Sequence, residues 1–131
     1  MSTPRRTATL ALVAWTFLVW TTRLNNIVAD ESLDGAAKVG RLALALSFTA
    51  LAAAVVWALT RRRARLSQAV TALAVWTVVV WAVRSVGIAL ADHDAGFIAV
   101  HLALAAVSTV VAALAVRELR QAPQRELSPR Q

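Results

Sequence analysis

The chain has no cysteine. That absence removes disulfides, thiolate metal sites and all cysteine-based chemistry. Proline and glycine are scarce, with three and four residues in 131. Pro4, Pro123 and Pro129 fall outside every long apolar run, and Gly35, Gly40, Gly87 and Gly96 gather toward one expected end of those runs. Helices through the runs are therefore expected to be unbroken, unlike the interrupted helices from which many secondary transporters build their sites. Charge is also thin. Only 16% of residues are charged, against about 25% in globular proteins. No acid lies inside an apolar run, which disfavours the intramembrane carboxylates that proton and cation pathways use. The chain has no nucleotide-binding loop, no G-x-S-x-G and no H-E-x-x-H.

What remains is apolar and segregated. Hydrophobic residues make up 59% of the chain, and charges stand in groups between uncharged stretches instead of alternating around helix faces as in a soluble helix. A net charge of +7 can signal nucleic acid. Here the basic residues flank apolar runs, and no polar stretch interleaves Arg with aromatics. A lipid bilayer is the expected partner and nucleic acid is not. Lys38 is the single lysine among 14 basic residues, a bias expected of a GC-rich bacterial genome and hence of an inner membrane.

A helix needs about 20 mostly apolar residues to cross the hydrocarbon core. Four stretches qualify: about Thr7–Asn26, Val39–Thr60, Leu66–Leu90 and Ala95–Val116. They are too long for strands, lack period-two alternation and are rich in Ala and Leu. The expected organisation is a cytoplasmic N-terminus (1–6), a first transmembrane hairpin (7–60), a basic cytoplasmic link (61–65), a second transmembrane hairpin (66–116) and a cytoplasmic tail (117–131). That tail is polar and proline-bearing from Gln121 and is expected to be disordered.

Orientation follows from the basic residues. Arg5 and Arg6, then Arg61, Arg62, Arg63 and Arg65, then Arg117, Arg120, Arg125 and Arg130 all fall on one side. The other two links carry Asp30, Glu31 and Asp34, and Asp92 and Asp94. Both termini are thus expected in the cytoplasm. The first span has the basic start of a signal peptide, but no small-residue cleavage pattern directly follows it, and its close copy in mid-chain argues for a retained span.

That copy is the clearest internal pattern. Trp15-Thr16-Phe17-Leu18-Val19-Trp20-Thr21-Thr22-Arg23 matches Trp76-Thr77-Val78-Val79-Val80-Trp81-Ala82-Val83-Arg84, sharing W-T-x-x-V-W-x-x-R. Matches of Ala and Leu would mean little in this composition, whereas the chain has only five Trp. Arg41-Leu42-Ala43-Leu44-Ala45 aligns with His101-Leu102-Ala103-Leu104-Ala105, Thr49 with Thr109 and Asp34 with Asp94. The expected fold is all-α and integral to the membrane: a four-helix transmembrane bundle built from two tandem helical-hairpin repeats. Each unit has two spans, so both insert the same way round and a parallel pseudo-twofold axis should relate them.

Arg23, Arg41, Arg84 and His101 form a polar layer. At 1.5 Å per residue, Arg23 lies about 26 Å along its helix from Arg6, Arg84 about 28 Å from Arg65, Arg41 about 30 Å from Arg61 and His101 about 24 Å from Arg117. The hydrocarbon core is about 30 Å thick, so all four belong at the outer boundary. There the arginines can snorkel to headgroups or pair with Asp30, Glu31, Asp92 or Asp94. Alternatively they form a cationic cup for an anion or an acidic headgroup.

Trp20 and Trp81 fit aromatic-belt anchors or stacking partners for Arg23 and Arg84. Trp57 fits an anchor at the inner boundary. Trp15 and Trp76 fall about 14 and 17 Å from the inner boundary, where packing at the bundle centre is expected and each indole N–H wants an acceptor. Ser47, Thr49, Ser108 and Thr109 suit close helix packing. Asp92-His93-Asp94 is metal-capable, but capping by Asp94 fits better. No metal and no cofactor is expected.

The chain is therefore expected to be a non-catalytic accessory or structural membrane component, with a homo-oligomer or another membrane protein as possible partners. The alternative is a small anion transporter or channel with an outward cationic vestibule. An enzyme would have to rest on His101 with Asp92 or Asp94, a weak pairing. Reporter fusions test the topology: tags in the Arg61–Arg65 link and after Gln121 should report the cytoplasm, and a tag at Ser32 the opposite side. Opposite sides for the first two would overturn the four-span arrangement.

Overall fold

The structure is a computed structural model that describes the backbone of residues 6–126 and the side chains of residues 6–121. Within them the chain forms four long helices: α1 (Thr7–Ala29), α2 (Gly35–Arg61), α3 (Leu66–Leu90) and α4 (Ala95–Glu126). A single 3-10 turn, Arg63–Arg65, joins α2 to α3. No strand occurs among the described residues. All four helices are long and apolar enough to cross a membrane. Among the described residues there is no cis peptide and no positive φ, and the four helices are continuous, although Pro123, expected outside them, falls within α4.

The helices outrun the expected spans. α1 continues past Asn26 to Ala29, α2 begins at Gly35 instead of Val39, and α4 runs beyond Val116 to Glu126. The segment from Gln121 expected to lack order is helical as far as Glu126; residues 127–131 lie outside the described residues. The starts of α2 and α4 are set by caps. Asp34 Oδ1 accepts from Ala37 N at 2.8 Å, and Asp94 Oδ1 accepts from Phe97 N at 2.7 Å, each satisfying a donor that a helix start leaves free.

Each helix packs against two neighbours: α1 against α2 and α4, and α3 against α2 and α4. The buried stripes run at three- and four-residue spacing, through Leu66, Val70, Leu73, Thr77 and Val80 on α3 and Ala45, Phe48, Ala52 and Val55 on α2. Small side chains dominate: Ala45, Ala52, Ala58, Ala112 and Ala115 are fully buried, letting helix backbones approach closely. Large apolar residues cover much of the outside. Leu18, Val28, Val39, Val83 and Leu90 are all exposed.

A carboxylate on α4 also clasps the start of α1. α1 starts at Arg6, whose side chain makes no capping bond. Instead Glu118, from α4, accepts from Ala8 N at 3.2 Å, Thr9 N at 3.0 Å and Thr9 Oγ1 at 3.0 Å. A carboxylate at a helix N-terminus satisfies free N–H groups and meets the positive end of the helix dipole. It also explains why Thr9 can be fully buried. Glu118→Ala should cost about 2 kcal/mol of stability, the scale of a lost cap or charge-assisted bond. The readout is unfolding of the purified protein in mixed micelles of rising SDS fraction, and an unchanged midpoint would show that the clasp contributes nothing.

Candidate functional site

The polar layer resolves into one cavity and one separate column. A cavity of about 140 Å³ is lined by Arg23, Arg41 and Arg84 together with Trp20, Asn26, Asp30 and three aliphatic side chains. The three arginines come from three different helices. Each sits where its helix's interior stripe reaches the end of the bundle: Arg23 three residues after Trp20, Arg84 three after Trp81, Arg41 four before Ala45. The register that buries Trp20, Trp81 and Ala45 therefore turns these side chains toward a common space.

Below them the bundle is filled. Trp20 stacks on Phe48 with centroids 4.0 Å apart and planes 8° from parallel, and Trp81 meets Trp20 at 6.3 Å. All three rings are buried. The reading of Trp20 and Trp81 as lipid-facing belt anchors is therefore replaced: they are core aromatics. Arg23 lies over both, its Cζ 5.6 Å from the Trp20 ring centroid and 5.5 Å from that of Trp81, within cation–π range. The expected Arg84–Trp81 stack is not formed in this way; Arg23 takes both rings. Arg84 is half-buried, and its Nε is buried without a hydrogen-bond partner. A charged donor left so is costly, and an incoming acceptor would relieve it.

The expected ion pairs do not assemble. Asp30 reaches the cavity lip, but its Oδ1 accepts from both Ser32 N and Ser32 Oγ. These bonds, the side-chain one foremost, hold its carboxyl below the usual 3.8. The stability they add is present above that ordinary value and fades as pH falls through the lowered one. Glu31 and Asp92 are exposed, and Asp94 caps α4. Among the described residues none of these four carboxylates forms an ion pair with Arg23, Arg41 or Arg84. The cavity thus gathers three guanidinium groups against one carboxylate.

His101 does not line this cavity. Its Nδ1 lies 2.8 Å from the Phe97 carbonyl, which can only accept, so Nδ1–H donates. Its ring stacks on Phe97 at 4.0 Å, and Phe97 stacks on His93 at 4.3 Å, a column along one face of α4. Among the described residues no group of three or more His, Asp or Glu is placed to hold a metal ion.

Trp15 and Trp76 are not at the bundle centre. Trp15 is half-buried and Trp76 is 36% exposed. Trp15 Nε1 donates to Ser108 Oγ, and Trp76 Nε1 to Ser47 Oγ, both at 2.9 Å. Each bond crosses from one hairpin to the other. Ser47 Oγ–H in turn donates to Leu44 O. Thr49 bonds its own helix through Ala45 O, and Thr109 is exposed. Of Ser47, Thr49, Ser108 and Thr109, the two serines join helices and Thr49 bonds only its own. Trp57 is exposed.

A second, larger hollow of about 450 Å³ opens between α3 and α4, walled by Val75, Val78, Val79 and alanines, with Arg117 and Arg120 at its end. Its polar lining is confined to those two arginines. No protein-family model, curated protein or solved structure matches this chain.

Sequence reasoning missed Asn26 in the cavity wall, Phe48 beneath Trp20, and Glu118. The signal for Glu118 was there: a single acid amid Arg117 and Arg120, and a first helix without a Ser, Thr, Asp or Asn at its cap. The indole bonds are open to test. Ser47→Ala and Ser108→Ala should each cost about 1 kcal/mol, the scale of an orphaned donor between membrane helices. Because the two bonds share no partner, the double variant should add. SDS-driven unfolding measures this, and two null results would reduce the bonds to incidental contacts.

Proposed function

We propose that this chain is a four-span integral membrane protein, with both termini in the cytoplasm of a bacterial cell, that holds an anionic group in the three-arginine cavity at its outer end. It belongs to the non-catalytic class, an accessory or structural component of the membrane. The observation that carries the reading is the convergence of Arg23, Arg41 and Arg84, from three helices, on one space with a single carboxylate at its rim. Headgroup anchoring alone would have splayed these side chains outward.

Apolar exposed surface on four helices of sufficient length supports insertion, because in lipid only such internally bonded segments are stable. The basic links support the orientation. The reciprocal indole-to-serine bonds support a tandem duplication: Trp15 and Trp76 occupy equivalent positions in the matching segments, and each reaches into the other hairpin at the same distance. A pseudo-twofold along the membrane normal is the symmetry such an exchange fits.

Binding is favoured over turnover because the lining presents guanidinium groups, one amide and one carboxylate already engaged by Ser32. That set attracts an anion without supplying a nucleophile. Binding is favoured over conduction because the cavity ends on Trp20, with Phe48 and Trp81 packed beyond it. The transport reading draws on the same convergence but needs those rings to part.

Trp20 and Trp81 report on the site through Arg23. Titrating the detergent-purified chain with sodium sulfate should give a saturable change in tryptophan emission. Arg23→Gln and Arg84→Gln should each weaken it at least tenfold, and Arg62→Gln in the basic link should leave it unchanged. Proteoliposomes should pass no more sulfate than protein-free vesicles. A flux abolished by the Arg23 and Arg84 changes would establish transport instead, and the absence of any anion response would remove the site.

A further inference from the structure

We infer that the group held in the arginine cavity is a phosphate, presented by an anionic glycerophospholipid at the level where headgroup phosphates lie. This rests on the anion-binding reading above and narrows it to one ligand chemistry.

The first argument is the shape of the donor set. Each guanidinium is a rigid fork that pairs bidentately with oxygens. Arg23, Arg41 and Arg84 enter from α1, α2 and α3 around a space of about 140 Å³. A carboxylate has two oxygens in one plane and is satisfied by one fork. A phosphate spreads its oxygens tetrahedrally and can meet forks arriving from several directions. Asn26 adds an amide to the same wall.

Charge comes next. Three cations against one carboxylate leave the cavity with an excess of two positive charges. Asp30 is held by Ser32 instead of an arginine. Arg84 Nε is buried and has no acceptor. Arg23 lies over Trp20 and Trp81, and cation–π contact uses none of its N–H donors up in a hydrogen bond.

Depth supplies the third argument. The arginines stand about 26 to 30 Å along their helices from the basic residues at the opposite end, one hydrocarbon thickness away. That is the layer of lipid phosphates. Apolar surface flanks the cavity on its own helices: Val28 and Val39 on α1 and α2, Val83 and Val86 on α3, are all exposed. Acyl chains can lie along this surface while the phosphate turns inward. A free phosphate shares the headgroup chemistry but has no use for the apolar flank.

The full chain in mild detergent, analysed by native mass spectrometry with phosphatidylglycerol and with diacylglycerol, tests this. One phosphatidylglycerol per protomer should be retained at least tenfold better than diacylglycerol. Arg23→Gln and Arg84→Gln should each reduce retention about tenfold. Arg23→Lys, which keeps charge but loses the fork, should also fall, and circular dichroism should show each variant as helical as the parent. Inorganic phosphate and chloride are titrated in parallel by tryptophan emission. Phosphate acting far more strongly than chloride, with no lipid adduct, would assign the same chemistry to a free ion and overturn the lipid source. Chloride and phosphate acting equally, with no lipid adduct, would sink the phosphate assignment yet leave the anion cup standing. Silence from every probe would remove the cup as well.

Discussion

The seating of Trp20 against Phe48 is the contact on which the arginine-bearing half of this bundle depends. Two large rings lie nearly parallel at 4.0 Å, with Trp81 tilted against them. In the bilayer setting proposed for these helices, apolar burial gives them little reason to associate, because acyl chains are as apolar as leucine. Tight packing and polar bonds must hold them instead. The ring cluster ties α1, α2 and α3 together, fixes the rotation of each about its axis, and thereby decides where the next turn of each helix points. On α1 and α3 that next turn carries Arg23 and Arg84.

Polar contacts then set the remaining geometry. The indoles of Trp15 and Trp76 reach serines on the opposite hairpin, while Glu118 closes the other end by taking the free donors of α1. Threonines behave differently. Thr16 and Thr77, equivalent in the repeated segment, are buried and bond back to Leu12 O and Leu73 O at 2.7 Å each. Such bonds hide a hydroxyl within its own helix and contribute nothing across the seam. Among the described residues the inter-helix polar bonds are therefore few: two indoles meeting serines, and one carboxylate meeting two backbone N–H groups and the Thr9 hydroxyl.

Much of this was readable in the sequence. Run lengths located the four helices, with α3 matched at both ends, and the Asp94 cap followed from its place before an apolar run. Helix ends were less legible because α4 continues into polar residues whose helicity comes from propagation, not hydropathy, while α1 carries on through Asn25 and Asn26 into Ile27, Val28 and Ala29. The direction of Arg23, Arg41 and Arg84 was open, since depth along a helix says nothing about rotation around it. The phase of the buried stripe would have narrowed it, as each arginine lies three or four residues from a buried one. His101 shows the limit of that rule: its spacing on α4 also leads to buried Ser108 and Ala112, yet Phe97 engages its ring. Trp20 and Trp81 were misplaced because an aromatic near a boundary looks the same in sequence whether it faces lipid or a neighbouring helix.

The Glu118 clasp also bears on how the chain matures. Synthesis is vectorial, so α1 emerges long before the carboxylate that completes its first turn. Until α4 is in place, the opening N–H groups of α1 must be served by water at the interface. Residues made more than a hundred positions later thus complete the first turn of α1, so that set of bonds waits on the docking of α4.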